Sequence, residues 1–284
     1  MSNKVVIASD STCDLSPELI ERYQVKIKPL WVNIGDKQYA DGVDITPDEI
    51  YAHYEKTEQL PKTAAINIME CAEFFTEHTK DGNDLVFFTI SSEMSSTYAN
   101  AKLAAEEFDN VYVVDTKNLS TGGGLLVISA GEMAAQGKSA KEIAEACTNL
   151  TQRVDASFVV DNLEFLHKGG RCSAVEAFGA NLLQLKPCIT VTDGKMGVGK
   201  KYRGKFASVL EKYIADRMGD ASDIELQHIF VTHAGCDEEI VNHCVEQVKA
   251  IAPFNEVHVT RAGCTVSSHC GRNTLGVLFL RRTL

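Results

Sequence analysis

The stretch Asp84–Ala101, DLVFFTISSEMSSTYANA, constrains the fold more than any other part of this chain. Leu85 to Ile90 is an unbroken apolar run rich in β-branched and aromatic residues, the pattern of a strand buried on both faces of a parallel sheet. Ser91, Ser92, Ser95 and Ser96 follow at once, and Tyr98, Ala101, Ala105 and Phe108 then recur at helical spacing. A strand, a hydroxyl-rich loop and a helix start form a natural anion site. The first-turn N–H groups point out of the helix, and its dipole favours negative charge there. The serines also suit a purely local role, capping the helix. Both readings stand at this point.

The chain opens in the same way. Lys4 to Ser9 reads as a strand, Asp10-Ser11-Thr12 as a polar turn or a ligand-contacting strand end, and Ser16-Pro17-Glu18 as a helix start. Val25 to Ile34 predicts a second strand, with Gly35-Asp36 turning into a short partner at Lys37 to Ala40. Thr46-Pro47-Asp48-Glu49 is a capping box opening a helix to about Lys56. Leu60 to Ala65 reads as a loop, in which Thr63 is a turn hydroxyl or a ligand contact. Asn67 with Glu70 caps a helix through His78. Val111 to Asp115 is another short strand. Thr116 to Gly124 reads as a glycine-rich connection, and no GK[ST] follows it to make a phosphate loop. Helices are expected from Leu125 to Gln136 and from Ser139 to about Arg153.

That alternation predicts an α/β fold whose first domain, residues 1–153, is a mostly parallel, doubly wound sheet. The second, residues 154–284, mixes hairpins with crossovers. Ala156 to Val160 is a strand, and Asp193-Gly194 joins Cys188–Thr192 to Met196–Tyr202 as a hairpin. A helix at Phe206–Met218, a strand at His228–Thr232, a helix at Glu238–Ile251 and strands at Val257–Thr260 and Val277–Leu280 complete a mixed-sheet α/β domain.

Composition narrows the function. The net charge of −11 argues against nucleic acid or an anionic membrane surface as the main partner. No run of about 18 apolar residues is present, so no transmembrane helix is expected. The start of the chain lacks a signal-peptide pattern, and its nine cysteines form no CxxC pair. The expectation is a cytoplasmic protein with reduced thiols. A Ser–His–Asp hydrolase of the elbow type needs GxSxG, which is absent. Five of the eight histidines, His228, His233, His243, His258 and His269, lie in the last fifth of the chain, near Cys236, Cys244, Cys264 and Cys270. No standard zinc spacing fits them, so no metal is expected. Val266 to Gly271 reads as a loop joining the last two strands. His269 within it either donates to an anion or caps a strand end.

Several separated motifs, taken in order, make the chain resemble the DegV family of fatty-acid-binding proteins, which also supply the lipid-carrying subunit of bacterial fatty acid kinase. They are Ser9-Asp10-Ser11-Thr12-Cys13-Asp14-Leu15, Asp41-Gly42-Val43-Asp44-Ile45, Lys62-Thr63, Ile90-Ser91-Ser92 with Ser95 and Thr97-Tyr98, Leu163 to Arg171, and His269 in its glycine-containing segment. The resemblance covers nearly the whole chain. It implies a non-catalytic protein that buries one long-chain fatty acid in an apolar tunnel. Residues matching Thr63, Ser95 and His269 would hold the carboxylate, with Ser92 and Ser96 beside them. Residues matching Arg171 and Arg203 would lie near the head group and the surface that meets a kinase. It implies no cofactor besides the bound lipid, and membrane contact only for lipid exchange. The chain departs from the family pattern at Ala64-Ala65-Ile66, at Ser96 and at Cys270 to Gly276, where Arg272 adds a positive charge and becomes a further candidate for the head group. The alternatives are an enzyme, a small-acid phosphotransferase or hydrolase built on the same loops, and a zinc-binding protein.

Overall fold

The structure, a computed structural model, describes residues 4–172, 175 and 185–283. The apolar run of Asp84–Thr89 (β6) lies inside a four-stranded, all-parallel sheet with Val5–Asp10 (β1), Lys26–Lys28 (β2) and Val111–Asp115 (β7), in the order β2-β1-β6-β7. Its alternate residues serve two different layers, which is why no polar residue interrupts the run. Leu85 and Phe87 pack with the helices Ile68–Thr79 and Thr97–Ala105. Val86 and Phe88 point the other way, into a core shared with the helix Thr121–Ala135.

That helix joins the two halves. Its opposite side meets a six-stranded mixed sheet made of Val154–Val160 (β8), Lys186–Thr192 (β9), Lys195–Tyr202 (β10), Ile224–Ala234 (β11), Glu256–Arg261 (β12) and Thr274–Arg281 (β13). The order is β10-β9-β8-β13-β11-β12, antiparallel except for β11 and β12. Phe230, Leu278 and Leu280 of this sheet share one core with Ile7 and Phe88 of the first. Its far face is covered by the helices Phe206–Met218 and Glu238–Ile251. The result is a two-domain α/β molecule in which the Thr121–Ala135 helix is buried from both sides. A helix in that position must be apolar all round and thin. Leu125 to Ile128 are fully buried, and a Cβ on Gly124 would come within 2.8 Å of the Cys13 carbonyl oxygen.

Four sequence expectations need correction. The segment Val25 to Ile34 is not one strand. It breaks at Pro29-Leu30, which cannot continue a ladder through the proline nitrogen. Trp31–Ile34 (β3) instead centres a separate antiparallel sheet, in the order β4-β3-β5 with Lys37–Ala40 (β4) and Lys62–Ala64 (β5). The supposed loop around Thr63 is therefore a strand. The three glycines of Gly122–Gly124 belong to the first turn of a helix rather than to a connection. Finally, Val266 to Gly271 is not a loop. Cys264–Cys270 is a short helix. The Asp193-Gly194 hairpin is as expected, a two-residue turn with both φ angles positive, 50° and 82°.

Candidate functional site

A cavity of about 330 Å³ lies where the small sheet, the serine loop and the Cys264–Cys270 helix converge. That is a modest volume within the roughly 300–1,000 Å³ of ligand pockets. Leu30, Ala64, Ala65, Ile90, Met94, Leu119, Met196 and Val266 give it apolar walls. Leu119, Val266 and Cys270 also border a second, narrower space of about 30 Å³, where Leu119-Ser120 and the Cys264–Cys270 helix meet the six-stranded sheet. Ala156, Phe158, Ala234, Ala262 and Leu278 line it.

The larger cavity also has a polar lining. Thr63, Ser95, Ser96, Arg171, Thr265 and His269 all line it, and its described lining contains no carboxylate. Thr63 comes from β5, whose register sets Thr63 beside the buried Val32. His269 comes from the last helix, and its Nε2 is 2.8 Å from Thr63 Oγ1. The helix is held in place by capping groups distant in sequence. Asp41 accepts from the backbone N–H groups of Cys264 (2.7 Å) and Thr265 (3.1 Å), and Asp14 accepts from Gly263 N–H at 2.8 Å. The other oxygen of Asp14 accepts from the Ser120 hydroxyl.

Burial, with the Arg171 guanidinium adding to it, pushes the His269 imidazolium down to a pKa of about 4. The ring is neutral at pH 7 and offers one donor and one acceptor. Its Nδ1 is buried without a hydrogen-bond partner, and Gly169 packs so closely that a Cβ there would lie 2.6 Å from it. Thr265 stands one turn earlier on the same helix face, and its hydroxyl is likewise buried without a partner. Buried polar atoms without partners are rare, and two of them here belong to side chains that line one cavity.

The four serines divide. Ser91 donates to the Gly194 carbonyl at 2.7 Å, tying the serine loop to the β9–β10 hairpin. The Ser92 hydroxyl accepts from Lys117 Nζ at 3.0 Å and is not part of the cavity lining. Ser95 Oγ accepts from Thr97 N–H at 3.2 Å, so it caps the helix start and borders the cavity at once. Ser96, at the cap position, makes no side-chain capping bond.

The structure thus brings Thr63, Ser95, Ser96, His269 and Arg171 together. It leaves Ser92, Arg272 and Arg203 outside. Arg272 lies over the Tyr51 ring, 4.6 Å from its centroid, and 3.5 Å from Glu55. Arg203 is exposed just beyond β10 and borders no part of the cavity. Thr265 is the residue sequence reasoning missed. Its signal was the i, i+4 spacing to His269, which carries meaning only once the segment is known to be helical.

Residues 4–282 match the family model described as "Uncharacterised protein, DegV family". A DegV domain-containing protein of Staphylococcus aureus is 33% identical over 288 aligned residues, which cover 98% of this chain and 99% of that protein. The fold is similar to that of a DegV family protein from Thermus thermophilus whose structure is described as fatty acid binding. The TM-score is 0.88 at 30% identity, covering 98% of this chain and 99% of that one. It is similar also to a stearic acid-binding protein from Eubacterium ventriosum, with a TM-score of 0.83 at 29% identity over 99% of this chain and 98% of that one.

Proposed function

The chain belongs to the DegV family, and from that premise we propose that it binds a long-chain fatty acid, with the carboxylate against Thr63, Ser95 and His269 and the tail along the apolar walls. The observation that carries this reading is the make-up of the cavity lining. Its walls are apolar, its polar groups are hydroxyls, an imidazole and one guanidinium, and its described lining holds no negative charge. An anion with a greasy body matches that distribution. A buried carboxylate must be hydrogen-bonded or it neutralises. The unpartnered Thr265 hydroxyl and the Thr63–His269 pair are the donors on hand, and Arg171 supplies the compensating charge.

Magnitudes assign different tasks to the two ends. At about 0.8 kcal/mol per methylene, a sixteen-carbon tail contributes on the order of 11 kcal/mol gross. Association costs roughly 4–15 kcal/mol. The tail therefore has to supply most of the affinity, and the polar group decides which end enters. The narrow space beyond Val266 and Cys270 is the direction in which the tail would extend, by parting the Cys264–Cys270 helix and Leu119-Ser120 from the six-stranded sheet.

Native mass spectrometry of protein purified from cells tests the reading, followed by fatty-acid titration of delipidated material. Protein that neither carries an acyl ligand nor takes one up rules it out. Ser95→Ala should weaken binding roughly tenfold, by the loss of one hydrogen bond to a charged acceptor; unchanged affinity removes Ser95 from the site. We assign exposed Arg171 and Arg203 to the docking of a separate kinase that would phosphorylate the held carboxyl group, because this chain has no phosphate loop of its own. A kinase unaffected by Arg203→Ala counts against that docking role.

A further inference from the structure

We propose that His228, Glu256 and His258 form a binding site for one divalent transition-metal ion of the zinc type, at the seam between the two halves and away from the lipid cavity. The parallel register of β11 and β12 sets His228 directly beside Glu256, and His258 follows two residues on, on the same face of the sheet. The three side chains each offer a ligand atom, and these atoms lie within 4.8 Å of one another. His228 Nδ1 is 3.0 Å from His258 Nε2, and that nitrogen is 3.8 Å from Glu256 Oε2. Two imidazole nitrogens 3.0 Å apart fit one ion at zinc–nitrogen distances of about 2.0–2.1 Å, and a tetrahedral angle needs them to part by only about 0.3 Å.

The surroundings are those of a metal centre. His228 Nε2 is 3.0 Å from Glu132 Oε1. A carboxylate there holds the proton on Nε2 and leaves the Nδ1 lone pair facing His258, the arrangement that orients metal-bound histidines. Arg22 grips Glu256 through both oxygens, at 2.6 and 2.9 Å. A carboxylate has about four lone-pair positions, so this bidentate pair orients Glu256 and still leaves acceptor capacity for an ion. The Phe230 ring closes one side, its centroid 4.8 Å from that of His258. Arg22 and Glu132, which bond Glu256 and His228, also border an open surface groove. Two imidazoles and a carboxylate suit zinc and its neighbours rather than magnesium or calcium. Three protein ligands leave a fourth position for water. Arg22 and Glu132 belong to the first half and the three ligands to the second, so the hydrogen bonds that orient the ligands cross the seam while the ion itself is held by one half. His228 stands four residues before Thr232 on β11, roughly 13 Å along a strand that rises about 3.3 Å per residue. Thr232 borders the narrow apolar space.

Equilibrium dialysis of the untagged, chelator-treated full chain against zinc ions tests this. The expected result is one zinc per chain, with a dissociation constant at least tenfold higher in His258→Ala and in Glu256→Gln. His243→Gln, at an exposed histidine paired with Glu211, should leave it unchanged. Glu256 is partly exposed, so the Glu256→Gln variant decides the matter should His258→Ala fail to fold. A chain that takes up no zinc, or whose uptake survives either substitution, overturns the assignment.

Discussion

At the scale of single residues, His269 is defined by what crowds it. Gly169 leaves room for the ring on one side, Thr63 bonds it on the other, and burial keeps it uncharged. Gly169→Ala would place a methyl group 2.6 Å from Nδ1 and push the ring out of line with Thr63. The expected outcome is a fall in fatty-acid affinity of roughly tenfold, with stability lowered by about 1–3 kcal/mol, read by titration and by denaturant midpoint. A variant with wild-type affinity would show that the ring's position is irrelevant to binding. The sequence names Thr63, Ser95 and His269 only through their resemblance to a known set of motifs. Taken alone, each hydroxyl had an equally good local use; Ser95 turns out to have one, while Ser91 and Ser92 bond residues distant in sequence. Arg272 misleads because proximity in sequence to His269 is not proximity in space. The C-terminal end of a helix and a glycine at φ 77° turn the chain away between them.

At the scale of elements, legibility follows the range of the interactions that make each element. β6 and the helices capped by Thr46, Asn67 and Ser139 carry their own signals within a few residues, and the structure contains all three capping boxes. The Cys264–Cys270 helix does not. It has seven residues, no capping side chain at Gly263, and its first-turn N–H groups are satisfied by Asp41 and Asp14 from the other end of the chain. No local pattern can announce a helix whose cap lies 223 residues away. Asp41→Ala removes two of those acceptors and the partner of the Ser11 hydroxyl. The loss should be about 2 kcal/mol or more, since a missing cap costs typically about 1 and a buried N–H left unpaired adds to it. Thermal unfolding would report the cost, and fatty-acid titration a weakened site, because this helix carries both His269 and Thr265. Unaltered stability and binding would mean that the helix stands without its remote caps. The strand around Thr63 was missed for a related reason. Three residues pairing only with β3 have no period of their own to read.

At the scale of the molecule, the alternation of strands and helices predicts the parallel sheet and the mixed sheet but not the small antiparallel one, and the start of the shared helix was hidden by its glycines. Close packing against Asn118 and against Cys13 and Leu15 requires Gly122 and Gly124, and the same residues in isolation signal a loop. The joint between the halves also carries a pH signature. Burial raises the carboxyl of Asp14, among Ser120 and Gly263, to a pKa of about 8. A carboxyl raised above its unfolded value near 4 contributes stability that is intact below about pH 4 and is lost as the pH rises through 8. His269, lowered to about 4, works in the opposite sense, with stability present above about 6.5 and lost as the pH falls toward 4. Asp14→Asn should therefore flatten the decline in stability between pH 5 and 8, measured by chemical denaturation across that window; an unchanged slope would assign the decline to other groups.

The bond between Thr63 and His269 spans 206 residues of chain, and the central strand of the larger sheet, β13, comes after both. Without it, β8 to β10 have no edge to meet β11 and β12. A ribosome making this protein consequently releases one partner of that bond about 200 residues before the other. Until then the emerging chain carries half a receptacle, and the apolar faces of β8 and β11 wait for β13 to pair with them.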